Sequence, residues 1–373
     1  MDTALLNSFK DPKLSRGLIE RISLLAGELE GKRDGRQLAL MEVCGTHTVA
    51  IAKSGIREVL PRSIRLISGP GCPVCVTANA DLDRIIAATR LPGVTVATFG
   101  DMMRVPGSST SMLERRAEGA SIEVVYSPLD ALALATKYPE QQIVFIGVGF
   151  ETTTPLIAAT VKRAKAAGAK NFSVLTAHKR VTPALDALAN DPDLALDGLI
   201  LPGHVSAIIG SKPYRFLPER YGIPSVIAGF EPVDLLLAIA GLLEQILEGE
   251  PRVEIAYGRV VHEQGNVDAC AAIDEVFAVS DATWRGLGSI PDSGHELDDA
   301  YASYDANRRF NLEELTEPTR EPKGCRCDNV LRGIMPPNEC PLFGKACTPV
   351  KPVGPCMVSS EGSCAAYYKY QIG

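Results

Sequence analysis

The chain has 373 residues, a formal charge of −7 and 46% hydrophobic residues, an ordinary composition for a soluble globular protein. The acidic balance argues against nucleic acid as a partner, because phosphate binding requires a basic surface. The length is too great for one small core and predicts two or three domains.

The sequence predicts neither a membrane span nor a secretion signal. The longest apolar run, residues 235–243, is bracketed by Asp234 and Glu244 and predicts a core helix. The N-terminus lacks the basic and then apolar pattern of a signal peptide. We therefore expect a cytoplasmic protein with no membrane partner. In that reducing compartment, ten cysteines indicate metal binding or redox chemistry rather than structural disulfides.

Residues 1–35 are predicted to be a helical segment, with an apolar face that includes Leu18, Ile19 and Ile22 and an end at Gly31 or Gly35. Eight short apolar runs follow, and they predict strands. They are residues 38–43, 64–68, 94–99, 122–126, 143–148, 172–176, 198–201 and 225–228. Amphipathic segments between them predict helices at 80–88, 129–137, 155–167 and 183–189.

Strands that are apolar throughout and alternate with helices indicate parallel sheets covered on both faces. Eight strands fit two α/β domains, which we expect at residues 36–130 and 131–250. After a long predicted helix at 232–247, residues 252–316 are mixed in character and contain the single tryptophan, Trp284. From Glu317 onward periodicity disappears. We expect residues 251–373 to be a third domain held together by an inorganic or covalent crosslink.

Six polar loops directly follow predicted strands, at the edge where parallel sheets bind ligands. The loops begin at Cys44, Gly69, Gly100, Gly149, Ala177 and Pro202. Any one of them could be ordinary turn chemistry. Together they carry three of the five histidines, and we expect a shared functional cleft.

The first loop, Cys44-Gly45-Thr46-His47-Thr48, lies where a strand leads into a helix. The helix dipole favours a thiolate there. His47 could face the same ion as Cys44, orient a group bound to the thiolate, or be a core histidine. Cys72-Pro73-Val74-Cys75 fits a redox pair, a metal-binding pair or two small core residues.

The loop Glu151-Thr152-Thr153-Thr154 could be no more than a capped helix start, since Thr154 precedes a proline. The sequence has no Gly-x-Ser-x-Gly nucleophile motif and no Walker-type phosphate loop. A catalytic triad is therefore poorly supported.

The C-terminal tail carries six cysteines, at positions 325, 327, 340, 347, 356 and 364, and no histidine. Six thiols exceed the four that a zinc ion or a cubane cluster requires, so four ligands and one redox pair are the natural division. The many prolines suit irregular chain around a cluster. An iron–sulfur cluster is favoured, while zinc and disulfides alone remain open.

Taken together, these motifs closely resemble the hydrogenase maturation protein family HypD along essentially the whole chain. The motifs are Cys44-Gly-Thr-His-Thr, Gly69-Pro-Gly-Cys-Pro-Val-Cys75, Gly149-Phe-Glu-Thr-Thr-Thr-Pro155, Pro202-Gly-His-Val-Ser206 and the six-cysteine tail. The resemblance implies two Rossmann-like α/β domains and a third domain that carries a [4Fe–4S] cluster. It also implies a scaffold for the Fe(CN)2CO group of [NiFe]-hydrogenases, working with the small partner HypC and the cyanide-supplying pair HypE and HypF.

The resemblance further implies roles for single residues. The iron fragment is held at a thiolate that matches Cys44, and His47, Cys72 and Cys75 match other essential positions, the two cysteines being possible metal ligands. The cluster ligands match Cys325, Cys340, Cys347 and Cys364. Cys327 and Cys356 match a redox-active dithiol beside the cluster, an arrangement similar to that of ferredoxin:thioredoxin reductase.

We hypothesise that the cluster and the Cys327/Cys356 pair keep Cys72 and Cys75 reduced, while His47 and Glu151 handle protons or bind cyanide nitrogens. A thiol–disulfide oxidoreductase without iron cargo is the competing interpretation. A zinc-stabilised interaction module is the third.

Overall fold

The computed structural model describes residues 11–33 and 35–370. Twelve strands are assigned within these ranges: β1 Leu38–Glu42, β2 Ile64–Ser68, β3 Val94–Thr98, β4 Ile122–Val124, β5 Gln142–Gly147, β6 Phe172–Thr176, β7 His178–Lys179, β8 Gly198–Pro202, β9 Ser225–Ala228, β10 Val253–Ile255, β11 Phe277–Trp284 and β12 Gly288–Leu297.

The α-helices in the same ranges are α1 Pro12–Glu30, α2 Gly45–Ser54, α3 Ile56–Val59, α4 Pro73–Val76, α5 Asn79–Ala88, α6 Met112–Ala117, α7 Pro128–Lys137, α8 Thr154–Ala167, α9 Val181–Ala189, α10 Gly203–Ile209, α11 Phe216–Tyr221, α12 Pro232–Glu248, α13 Val267–Val276, α14 Ala306–Phe310, α15 Cys327–Leu331 and α16 Ser363–Tyr370. Short 3-10 helices cover Gly100–Arg104, Lys212–Tyr214, Asp299–Tyr304, Pro337–Glu339 and Pro355–Met357.

Two parallel sheets form the centre of the molecule. The first has the order β10-β9-β8-β1-β2 and the second the order β4-β3-β5-β6. Counted along the chain within each sheet, these orders are 2-1-3-4-5 and 2-1-3-4. A third, antiparallel sheet has the order β11-β12-β7. The α/β class with parallel sheets, predicted from the sequence, is confirmed.

All eight predicted strands are present, with ends that differ by a residue or two. Most of their residues are buried between covered sheet faces, which explains their apolar character. The exposed exceptions are Arg65 in β2 and Glu123 and Val124 in β4. Helices α1 and α12 pack on one face of the first sheet, and Ile22, Leu40 and Ile239 belong to that core. The predicted N-terminal helix begins at Pro12, behind the N-cap Asp11. The predictions for residues 1–10 and 34 lie outside the described residues.

The strands do not divide near residue 130, as the sequence suggested. Strands β3 and β4 precede that position and share a sheet with β5 and β6, which follow it. Strand β8 hydrogen-bonds with β1, so the first sheet combines residues 38–68 with residues 198–255. The expected boundary at residue 130 is therefore wrong as a division between the two parallel sheets. The sequence could not show this, because pairing between strands far apart in sequence leaves no local signal.

Residues 251–370 do not form a separate unit either. Strand β10 completes the first sheet, and the β11–β12 hairpin packs against helix α9. Helix α16, close to the C-terminus, packs against α2, the helix that follows Cys44. The fold therefore brings the tail, defined here as residues 317–370, against the first loop.

Each parallel sheet has a switch point, where successive connections leave in opposite directions and where ligands bind in open α/β sheets. In the first sheet this point lies between β1 and β8, whose following loops carry Cys44 and His204. In the second sheet it lies between β3 and β5, whose loops begin at Phe99 and Val148. The topology alone thus marks these loops as the ligand-binding edge.

Across residues 11–33 and 35–370, no helix combines the length and the apolar character that crossing a membrane would require.

Candidate functional site

A cavity of about 400 Å³ lies beside Cys44, between loops of the two parallel sheets. We call it the Cys44 cavity. It is lined by Val43, Cys44, Thr46, Gly71, Pro73, Phe150, Thr152, Thr153, Pro202, His204, Val205, Ala207, Ile208 and Glu361. Its walls come from the loops after β1, β2, β5 and β8 and from the tail. A volume of this size accommodates a small ligand or a metal fragment.

Cys44 is the N-cap of α2 and has an extended backbone conformation. Its amide donates a hydrogen bond to Glu42 Oε2 at 3.1 Å, and Thr48 Oγ1 donates to Glu42 Oε1 at 2.5 Å. Burial, and secondly the Glu361 carboxylate, raise the pKa of the Cys44 thiol to about 12, although the His47 and Thr46 amides act in the opposite direction. The thiol is therefore protonated near neutral pH, and a bound cation would be needed to stabilise the thiolate.

His47 is fully buried and lies outside the lining of the cavity. Its Nε2 lies 3.0 Å from the carbonyl oxygen of Gly229 and 3.3 Å from that of Ala228, so Nε2 carries the proton and donates. Burial lowers the pKa of His47 to about 4, so the ring is neutral. This geometry fits a residue that anchors the loop better than one that faces an ion beside Cys44.

The imidazole that lines the cavity belongs to His204, and a carboxylate, Glu361, lies in the same wall. The His204 ring stacks on Phe230 with centroids 3.8 Å apart. Glu361 Oε1 accepts a hydrogen bond from Thr46 Oγ1 at 2.6 Å. Burial lowers the pKa of His204, and Glu361 opposes this effect. His204 was visible in its sequence motif, whereas nothing in the sequence connected Glu361 with Cys44.

Cys72 and Cys75 are joined by a disulfide in this structure. Cys72 is the N-cap of α4, and its sulfur accepts a hydrogen bond from the Cys75 amide at 3.2 Å. The preceding Gly71 accepts a hydrogen bond from the Gly45 amide at 3.0 Å, which ties this loop directly to the Cys44 loop. The two cysteine motifs are therefore neighbours, although both sulfurs of the pair belong to a hydrophobic core cluster.

Glu151 points away from the cavity that its neighbours Phe150, Thr152 and Thr153 line. Its Oε1 accepts the Val181 amide at 3.0 Å, and burial raises its pKa to about 7. This geometry places the carboxylate inside the fold, where it holds the start of α9.

Four of the six predicted loops meet at the Cys44 cavity, and two lie elsewhere. Asp101 and Arg104, after β3, line a neighbouring cavity of about 800 Å³ that shares Thr46 and Glu361. The loop after β6 lines a separate cavity of about 500 Å³, where Lys179 and Asp81 form a buried ion pair at 2.9 Å. The expected shared cleft is thus formed in part.

Comparison with known proteins identifies the family of this chain. A family model described as HypD, hydrogenase formation hypA family, matches residues 16–371. The chain belongs to the HypD family. The hydrogenase expression/formation protein HupD of Azotobacter chroococcum mcd 1 is 46% identical over 372 residues, which cover 98% of this chain and 96% of that protein.

Two further relatives carry the name hydrogenase maturation factor HypD. The Rhodobacter capsulatus protein is 45% identical over 367 residues, which cover 98% of this chain and 97% of its own length. The Escherichia coli (strain K12) protein is 42% identical over 367 residues, which cover 98% of each chain. The family resemblance expected from the sequence is confirmed, and the chain is a hydrogenase maturation factor of the HypD family.

In this HypD-family chain, two of the six tail cysteines form a close pair, although Cys327 also interacts with the Cys325 thiol and Cys356 with the Cys364 thiol. The sulfurs of Cys327 and Cys356 lie 2.7 Å apart, and both side chains are buried. These are the two that the sequence resemblance assigned to a dithiol. Cys325, Cys340 and Cys364 are partly exposed and Cys347 is buried.

The remaining four thiols have the chemistry of a cluster-binding set. Cys364 acts electrostatically on Cys325 and Cys347, and Cys340 acts on Cys347. The Cys347 sulfur accepts the Val353 amide at 3.3 Å. In the described ranges, no three His, Cys, Asp or Glu side chains converge to hold a single metal ion. Cysteine thiolates are ligands of both zinc ions and iron–sulfur clusters, so these four thiols are candidate ligands for either.

The front pair and the tail pair meet inside one hydrophobic cluster. Cys72, Cys75, Cys327 and Cys356 all belong to it, and helix α4 packs against Pro355–Met357. The buried Arg285 lies at this junction. Its Nε donates to the Thr77 carbonyl at 3.2 Å, and its charge lowers the pKa of Cys327, though less than the thiols of Cys325 and Cys356 do. Arg285 gave no signal in the sequence.

Gly71→Ala is expected to destabilise the protein by about 1–3 kcal/mol, because the new Cβ would overlap the backbone nitrogen of Cys44, which cannot move aside. Chemical denaturation measures this change. The control is Gly27→Ala inside α1, where a Cβ meets open space, and it is expected to stabilise by about 0.8–1 kcal/mol. Equal stability of Gly71→Ala and wild type would show that the two loops are not in contact as described.

Proposed function

We propose that this chain is the scaffold on which the Fe(CN)2CO fragment of the [NiFe]-hydrogenase centre is assembled, with iron held by the Cys44 thiolate. It would work with a small HypC-type partner and receive cyanide from HypE- and HypF-type proteins. The observation that carries the proposal is a buried, protonated thiol in a small cavity at the switch point of the first sheet. The HypD membership supplies the hydrogenase context.

The cavity suits an iron cargo for electrostatic reasons. A buried thiolate is unstable alone, and the nearby Glu361 carboxylate makes it less stable still. An iron cation compensates both negative charges, so its binding releases the thiol proton and fixes the thiolate. The His204 imidazole and the Thr46 hydroxyl supply hydrogen-bonding groups in the same wall, suited to the nitrogen ends of cyanide.

The six tail cysteines supply the redox part of the proposal. Cys325, Cys340, Cys347 and Cys364 would hold a [4Fe–4S] cluster, and such a cluster supplies single electrons when bound. The chain's own step is thiol–disulfide exchange. The Cys327 thiolate attacks the Cys72–Cys75 disulfide, and Cys356 then resolves the mixed disulfide. Two electrons and two protons move, so the front pair becomes a dithiol and the tail pair a disulfide.

A thiol–disulfide oxidoreductase without iron cargo is the second candidate. The shared cluster of Cys72, Cys75, Cys327 and Cys356 favours it, because the same exchange could serve an external disulfide. The two functions differ in whether Cys44 is needed, since the oxidoreductase would work without that thiol.

Iron analysis of anaerobically purified protein tests the proposal. We expect about four tail irons and additional iron that Cys44→Ala loses. Cys270→Ala is the matched control, because Cys270 lies on α13 outside the cavity lining. If Cys44→Ala retains all of the iron found in the Cys270→Ala protein, Cys44 does not hold the cargo and the oxidoreductase interpretation is preferred.

A further inference from the structure

Phe230 lies between the two histidines of the Cys44 region. Its ring centroid is 4.8 Å from that of His47 and 3.8 Å from that of His204. Phe230 belongs to the loop after β9, and the carbonyl of the preceding Gly229 accepts the His47 Nε2 hydrogen bond. One short loop therefore contacts both imidazoles, only one of which lines the cavity.

A buried ion pair between Arg259 and Asp234 stabilises this loop. Asp234 is fully buried in the first turn of α12, and its Oδ2 accepts the Glu231 amide at 3.1 Å. Arg259 donates two hydrogen bonds of 2.6 Å to the Asp234 carboxylate. This bidentate geometry is the strongest ion-pair arrangement that proteins commonly use.

A second contact path leads from the same arginine to the loop. The Arg259 guanidinium lies 4.5 Å from the centroid of the Tyr257 ring. Tyr257 in turn packs edge-on against Phe230, with centroids 5.9 Å apart. Arg259, whose side chain is 16% exposed, thus reaches Phe230 through both a carboxylate and an aromatic ring.

We propose that Phe230, held in place by the Arg259–Asp234 pair, is the positioning residue that presents His204 to the Cys44 cavity and keeps His47 turned away from it. The proposal extends the function proposed above and rests on it for its effect on iron. The Phe230 ring covers one face of His204, while the rest of this histidine is exposed. Of the charged groups on neighbouring elements, Glu361 faces His204 across the cavity.

The test is an NMR titration of the full-length, anaerobic protein labelled at its histidine rings, with the His204 signal assigned through His204→Gln. In Phe230→Ala we expect the pKa of His204 to rise, because water reaches the uncovered ring face. Phe230→Tyr keeps the ring and should keep the wild-type pKa. Iron retention in Phe230→Ala should fall about 10-fold, as for other residues that orient a metal site.

The outcomes separate the two proposals. An unchanged His204 pKa in Phe230→Ala overturns the positioning role, whatever happens to iron. A raised His204 pKa with unchanged iron retention supports the positioning role and shows that His204 does not contribute to iron retention, while the iron site itself is tested by Cys44→Ala. If Phe230→Ala does not fold, Arg259→Ala replaces it, because that partly exposed side chain acts through Asp234 and Tyr257. The same direction of pKa change is expected there, and no change would again overturn the inference.

Discussion

Cys44→Ala is expected to lower hydrogenase maturation by more than about 100-fold, since groups that merely orient metal ligands are already worth 10–100-fold. The reason is that the buried Cys44 thiol is the only cysteine among the residues that line the Cys44 cavity. The measurement is hydrogenase activity in a strain whose own family member has been deleted and which expresses the variant from a plasmid.

Two control variants make this result specific. Cys270→Ala should complement the strain as wild type does, because Cys270 lies on α13 and is not part of the cavity lining, although its sulfur contacts the Ile208 carbonyl. Cys44→Ser keeps the size of the side chain but supplies a poor iron ligand, and it should fail as Cys44→Ala does. Full activity of Cys44→Ser would show that the residue fills space rather than holds iron.

Cys347→Ser is expected to lose about four irons per chain and to make the tail sensitive to protease. The tail has little regular structure, with helices α15 and α16 joined by loops, so cluster binding contributes directly to its folding. Iron and sulfide analysis together with limited proteolysis measure both effects.

Cys327→Ser is the matched variant within the same tail. Its sulfur pairs with that of Cys356 at 2.7 Å, so the cluster iron should remain while thiol–disulfide exchange is lost. If Cys327→Ser loses as much iron as Cys347→Ser, the division of the six cysteines into four ligands and one dithiol is wrong.

The strands were predictable because most of their residues are buried and apolar, as in residues 143–146. Strand β10 has three residues and β7 only two, too few for a recognisable pattern. The β11–β12 hairpin was missed because its exposed positions dominate the sequence of residues 277–297. The assignment of strands to sheets failed because β1 finds its partner β8 more than 150 residues later.

The position of Cys44 at a strand end was enough to predict a cavity there, because the carboxyl edge of a parallel sheet is a general ligand-binding place. The other groups that line the cavity were harder to predict from the sequence. Glu361 meets Thr46 across 315 positions, through a tail without periodicity. The sequence predicted roles for His47 and Glu151 and none for His204, although His204 lies in one of the quoted motifs. Only the fold shows that His47 hydrogen-bonds the Gly229 carbonyl in the loop after β9. It also shows that the Glu151 carboxylate accepts the Val181 amide at the start of α9.

Infrared spectroscopy of the anaerobic complex with its small partner tests the central claim most directly. The account predicts bands of metal-bound cyanide and carbon monoxide in the wild-type complex and in Cys270→Ala, and their absence in Cys44→Ala. The same bands at full intensity in Cys44→Ala would contradict the claim that the Cys44 thiolate holds the iron.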